Sequence, residues 1–161
     1  MVRFEIETEI MASRDRCFDL SRDLDLHLRS MARSGERAVA GRTSGLIGLG
    51  EEVTWRARHF GLTVEHCSRI SAYDRPRYFQ DVMVRGRFRR FVHDHYFEEN
   101  RGATRMRDVV EFASPFGVVG RLIDALVLRP YLRRLITARN GLIRREAERA
   151  AMQVDGEAVR K

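Results

Sequence analysis

The sequence predicts an α+β fold: a curved seven-stranded antiparallel sheet wrapped on a long C-terminal helix, with two short helices after the first strand. Three observations carry this. Residues 2–10 alternate strictly between apolar and charged side chains, and five strand-like runs separated by turn residues follow from Glu51 to Phe112. Beyond Ser114-Pro115 the apolar residues recur at helical spacing.

In MVRFEIETEI, Val2, Phe4, Ile6, Thr8 and Ile10 share one face, and Arg3, Glu5, Glu7 and Glu9 share the other, as in a half-buried strand. Cys17, Leu20, Leu24, Leu28 and Met31 then recur at helical spacing behind Ser13, a residue suited to capping a helix N-terminus. Ser21 and Asp23 offer a restart, which predicts two short helices rather than one long one. Gly35 ends this region, and ERAVAG (36–41) reads as a short strand. The glycine-rich GRTSGLIGLG that follows is no dinucleotide fingerprint, because a strand comes after it rather than a helix; its glycines suit turns and bulges.

The five later strands are EEVTWRARHF (51–60), LTVEHCSRI (62–70), RYFQDVMVR (77–85), FRRFVHDHYFEE (88–99) and TRMRDVVEF (104–112). Turns at Phe60-Gly61, Asp74-Arg75-Pro76, Gly86 and Asn100-Arg101-Gly102 separate them. The last element carries a stripe of Val119, Leu122, Ile123, Leu126, Leu132, Leu135, Ile136, Leu142 and Ile143, with Pro130 predicting a kink or break. One domain is expected over 1–152, with a polar, frayed tail at 153–161.

At 161 residues, with 43% hydrophobic and 9% aromatic content, the chain is globular and long enough to bury a core that encloses a cavity. A formal charge of +7 and a pI near 10.3 invite a nucleic-acid reading. Two facts oppose it. Lys161 is the only lysine among 30 basic residues, a ratio that points to coding bias, and 23 acids are interleaved with them. Cys17 and Cys67 show no CxxC or metal-type spacing, and no cofactor motif is present. The N-terminus lacks a continuous apolar region and no run is long enough to span a membrane, so a cytoplasmic location is expected. The segment FGVVGRLIDALVLRPYLRRLI has the amphipathic look of a membrane-surface helix. Its stripe is expected to cover the sheet, which makes peripheral membrane contact the weaker expectation. No feature specifies an oligomeric state.

The stretch FVHDHYF (91–97) draws the chemistry together. Alternation puts Phe91, His93, His95 and Phe97 on one face, and the flanking phenylalanines predict that this face is buried. A two-residue turn at Asn100-Arg101 would set His95 opposite Met106 and His93 opposite Asp108, with a register tolerance of about two residues. Across Gly86, Asp81 falls opposite Phe91 or His93. Asp81, His93 and Asp108 are thus expected to meet on three adjacent strands, with His93 at the centre, and Trp55 is expected beside His66.

Four readings of this cluster follow. In the first, the groups satisfy one another within the core. In the second, they line a pocket and orient a mostly apolar small molecule; Trp55, Met83, Phe91 and Met106 then supply the apolar wall, and His66 and His95 the polar contacts. In the third, His93 acts as a base oriented by Asp81 or Asp108. In the fourth, His93 and His95 hold a metal with His66, Asp81 or Asp108. The pocket is the leading expectation and the acid–base site its rival, with no metal or cofactor expected. His27 and His59 are expected at the surface.

The element order resembles the START-like superfamily, which includes polyketide cyclases and dehydratases and many ligand-binding proteins. The resemblance rests on GLIGLGEEVTW (45–55), FQDVMVRGRFRRFVHDHYF (79–97) and RGATRMRDVVEFASPFG (101–117), and spans Phe4 to about Glu148. It implies a helix-grip fold with a cavity between sheet and helix. It carries over no catalytic position, because such folds share a cavity rather than a set of reacting residues.

Overall fold

The computed structural model describes the backbone of residues 1–158 and the side chains of all but Arg33 and 153–158. The alternating N-terminal segment forms an edge strand, β1 (Val2–Ile10), which buries Phe4, Ile6 and Ile10 on one face. Ser13 caps α1 (Arg14–Ser21), accepting from the Arg16 amide. Asp23 caps α2 (Leu24–Ser30), accepting from the amides of Asp25 and Leu26, so the chain restarts its helix where the restart signal stands. The remaining strands are β2 (Arg37–Gly41), β3 (Glu52–His59), β4 (Leu62–Asp74), β5 (Tyr78–Arg85), β6 (Arg90–Asn100) and β7 (Ala103–Ala113).

All seven strands join one antiparallel sheet in the order β1-β7-β6-β5-β4-β3-β2. Bulges interrupt β2 between Ala38 and Ala40, and the pairing of β4 with β5 at Cys67/Ser68 and Ile70/Ala72. Such bulges bend strands and add twist, which curls the sheet around its helix. The turn between β6 and β7 differs from expectation. Arg101 (φ 50) and Gly102 (φ 83) are its two central residues, the paired positive φ of a type I′ turn. Asn100 therefore pairs with Ala103, which moves the register by two: His95 faces Asp108, His93 faces Val110 and Phe97 faces Met106.

The C-terminal region is α3 (Gly117–Ile123), a π-helical turn (Asp124–Leu128) and α4 (Arg129–Ala158). Pro130 has no N–H to offer the carbonyl of Leu126, so the irregularity falls just before the proline rather than at it. The helix passes the expected boundary at 152 and reaches Ala158; 159–161 lie outside the described residues. Only its later part covers the sheet. Ile136, Ile143 and Ala147 are buried, whereas Leu122 and Leu126 are 61% and 67% exposed, contrary to the expected use of the whole stripe.

The core forms two apolar clusters. One gathers around Phe18, whose ring meets Tyr73, Phe79 and Phe97 edge-on at 5.3, 5.5 and 5.4 Å. The other joins Phe4, Ile6, Val110, Phe112 and Ile136.

Candidate functional site

Inward-facing polar side chains stand in the interior alongside these clusters. β5 and β6 pair Asp81 with His93, and β6 and β7 pair His95 with Asp108, so alternation aims all four side chains to the inner face. Asp108, fully buried, is the hub. His93 donates from Nε2 to Asp108 Oδ1 at 2.8 Å, and Asn140 donates from Nδ2 to Asp108 Oδ2 at 2.7 Å. His95 Nδ1 lies 2.9 Å from the same Oδ1 but outside hydrogen-bond alignment, while its Nε2 bonds Asp81 Oδ2 at 3.2 Å. Arg139, also buried, places Nη1 3.8 Å from Asp108 and donates from Nη2 to the Ser21 carbonyl.

Burial alone would raise both carboxylates. For Asp108 the bond from His93 and the adjacent His95 outweigh it and hold the group well below the usual carboxylate range; for Asp81 the bond from His95 and the nearby His93 outweigh it and lower the group. The histidines diverge. Burial pushes His93 down and the neighbouring His95 pushes it further, against the pull of Asp108. Burial also disfavours the His95 cation, but Asp108 and Asp81 on either side raise it overall.

These directions favour ionised Asp81 and Asp108, a cationic His95 and a neutral His93, while burial lowers Arg139 against the pull of Asp108 and Asp81; with Arg139 as its usual cation the charges of the cluster balance. A carboxylate can only accept, so neutral His93 carries its proton on Nε2 and keeps a lone pair on Nδ1. That atom lies 3.9 Å from Asp81 Oδ2 and has no hydrogen-bond partner among the described residues. One atom each of Asp81, His93 and His95 lies within 4.8 Å of the others, so among the described residues these three could together hold a metal ion.

The cluster opens on a cavity of about 460 Å³ between the sheet and the C-terminal helix. Its wall is mostly apolar and aromatic, with Trp55, Phe79, Phe91 and Tyr131, and all five histidines of the chain line it. His27 stacks on Trp55 at 4.4 Å and bonds Glu36 at 2.7 Å, and His59 Nδ1 stands 2.6 Å from the Tyr131 hydroxyl. Neither is the free surface residue expected.

No protein-family model matches the sequence, and a search of curated proteins found no match. Solved structures do match. The Zhui aromatase/cyclase from Streptomyces sp. R1128 superposes with a TM-score of 0.70 at 13% identity, over 93% of this chain and 95% of that one. A START superfamily protein from Mycobacterium smegmatis gives 0.66 at 12% identity, over 88% and 96%. TTHA0849 from Thermus thermophilus gives 0.69 at 18% identity, over 88% and 97%. The fold is START-like.

In this START-like domain Trp55, His66, Asp81, Phe91, His93 and His95 line the cavity, and Trp55 pairs with His66 across β3 and β4. Asp108 stands behind the two histidines. Met106 does not line the cavity: the register shift puts it in the Phe18 cluster, fully buried, accepting from Ser21 Oγ at 3.4 Å. Met83 does not line it either. β5 pairs with β6 only as far as Val82↔Val92, and where the hairpin flares Met83 crowds Gly86 and borders a separate pocket. His93 is not the sole centre, since His95 lies against both carboxylates. Sequence reasoning missed Arg139 and Asn140. Their signal was present: they stand three and four residues after Ile136, where the apolar stripe should have continued.

Proposed function

We propose that this domain binds a small, mostly apolar molecule in the cavity, with one or two of its oxygens oriented by the Asp81–His93–His95 wall. The observation that carries the reading is the pairing of an aromatic-rich cavity of about 460 Å³ with a charge-balanced polar cluster on one side. That volume falls within the range of small-molecule sites, and a few fixed polar groups in an apolar wall are what such sites use for orientation. The unpartnered Nδ1 of His93 can accept from a ligand hydroxyl, and the exposed edge of Asp81 can do the same.

A second reading draws on the same atom. A neutral imidazole whose far N–H is held by a buried carboxylate is the arrangement of a general base, as a cyclisation or dehydration would require. His93 would take the proton at Nδ1, and Asp108 would hold the ring and stabilise the resulting cation.

Trp55 is the chain's only tryptophan, so its fluorescence reports occupancy. Ser68 of β4 lines the cavity, so titration with 1-anilinonaphthalene-8-sulfonate should give saturable one-to-one energy transfer from Trp55 that is abolished in a folded Ser68→Phe variant, whose ring fills the cavity. Saturation that survives Ser68→Phe would place the probe elsewhere and sink the reading. The two readings separate on His93→Ala, tested against molecules that copurify with the protein. A binder loses affinity modestly and turns nothing over; an enzyme loses about 10²–10⁴-fold in turnover.

A further inference from the structure

The ridge formed by α3 and the π-helical turn presents a run of exposed apolar side chains. Val118 and Val119 are 72% and 65% exposed, and Leu122 and Leu126 are 61% and 67% exposed. None of the four joins either apolar cluster of the core. Isolated exposed apolar residues are ordinary, but a contiguous run of large ones marks a surface that meets something. The ridge also borders the cavity: Phe116 and Ile123 line its wall.

Within the ridge segment itself the charge is one-sided, although Arg133 also donates to the Glu5 carbonyl of β1 at 3.0 Å. From Ala113 to Arg134 the only acid is Asp124, which is buried and accepts from the Ser114 backbone amide, whereas Arg121, Arg129, Arg133 and Arg134 are exposed. Arg87 and Arg89, on the β5–β6 hairpin, extend the positive rim; Arg87 lines the same cavity as Phe116, and the Arg89 amide bonds the Ala113 carbonyl at 2.7 Å.

We infer that this ridge docks on an anionic lipid bilayer, with the valine and leucine side chains in the headgroup–acyl boundary and the arginines against phosphate. An apolar face flanked by arginine is what such an interface selects. A second copy of the chain fits poorly. A twofold interface sets the same patch against itself, so arginines would meet arginines with no exposed acid in the segment to pair them. No helix among the described residues is long and apolar enough to cross a membrane, so the contact is peripheral. The inference does not rest on the cavity holding anything.

The test is co-sedimentation with vesicles of phosphatidylcholine mixed equally with phosphatidylglycerol, against vesicles of phosphatidylcholine alone. The protein should pellet with the anionic vesicles, more weakly as salt rises, and hardly with the neutral ones. The double variant Leu122→Glu/Leu126→Glu should bind at least about tenfold more weakly with an unchanged melting temperature, since both side chains are solvent-facing. Equal binding by wild type and variant would overturn the inference, as would absence of binding to either vesicle. A stable wild-type dimer in solution that the double variant converts to monomer, without vesicle binding, would assign the ridge to a second copy and overturn it as well.

Discussion

Asn140 of the C-terminal helix donates to Asp108 of β7 at 2.7 Å, tying the helix to the sheet through a fully buried carboxylate. The other oxygen of Asp108 holds His93, so one residue both anchors the fold and sets the tautomer of the side chain that faces the cavity. Removing its charge leaves the His95 and Arg139 cations buried without their nearest counter-charge. Breaking a buried ion pair from one side costs about 3–5 kcal/mol. Asp108→Asn should therefore lose that much in urea unfolding at neutral pH, and Asn140→Ala about 1–3 kcal/mol through the lost hydrogen bond. A loss below about 1 kcal/mol for Asp108→Asn would contradict the buried-charge assignment.

His93 and His95, two residues apart, should give opposite pH dependences. The raised pKa of His95 means its stabilisation is present below the ordinary histidine value and is lost as pH rises through the folded-state value. The lowered pKa of His93 reverses the sign: its neutral form stabilises above the ordinary value, and that contribution is lost as pH falls through the folded-state value. Measured from about pH 5 to about pH 9, the stability gap between wild type and His95→Asn should narrow as pH rises. The gap for His93→Asn should narrow as pH falls. Matching signs would refute the split assignment.

The fold was legible because alternation, caps and turns agree with the global arrangement. Ser13 and Asp23 start their helices as read, and the strand alternation correctly turned the His93 face inward. The site was less legible because it depends on register. A two-residue turn reads equally well at Asn100-Arg101 or Arg101-Gly102 until backbone φ chooses; the choice exchanged Met106 for Asp108 opposite His95. Met83 failed for a related reason, since hairpin flare and bulges do not show in a period-two pattern. Arg139 and Asn140 stand in the helical stripe and complete the polar cluster, which no count along the strands could reach.

Gly41 offers a test of the edge that supports Trp55. β2 sets Ala38 opposite Trp55, and at its end Gly41 adopts φ 72, where an added Cβ would stand 2.2 Å from the Glu52 carbonyl oxygen. Gly35 shares the positive φ (62) but has nothing within 4 Å of that position. Gly35→Ala should cost about 1 kcal/mol, the left-handed penalty alone. Gly41→Ala adds a backbone clash and should cost at least about 1 kcal/mol more, with a shift in Trp55 emission as β2 loosens. Equal costs at the two glycines would show that the β2–β3 approach is not tight.

Positive charge beside Asp81 can come from a proton or from a metal ion. Asp81 Oδ2, His93 Nδ1 and His95 Nε2 converge, and two lone pairs facing a carboxylate require either a proton or a metal ion. With Arg139 already 3.8 Å from Asp108, one proton on His95 balances the two carboxylates. A divalent ion would displace that proton and leave the buried cluster with excess positive charge. Zinc added to chelator-treated protein near neutral pH should therefore bind without one-to-one stoichiometry in calorimetry and leave the melting temperature unchanged. Stoichiometric zinc binding that vanishes in both His93→Ala and His95→Ala would reverse the assignment and make the three side chains a metal centre.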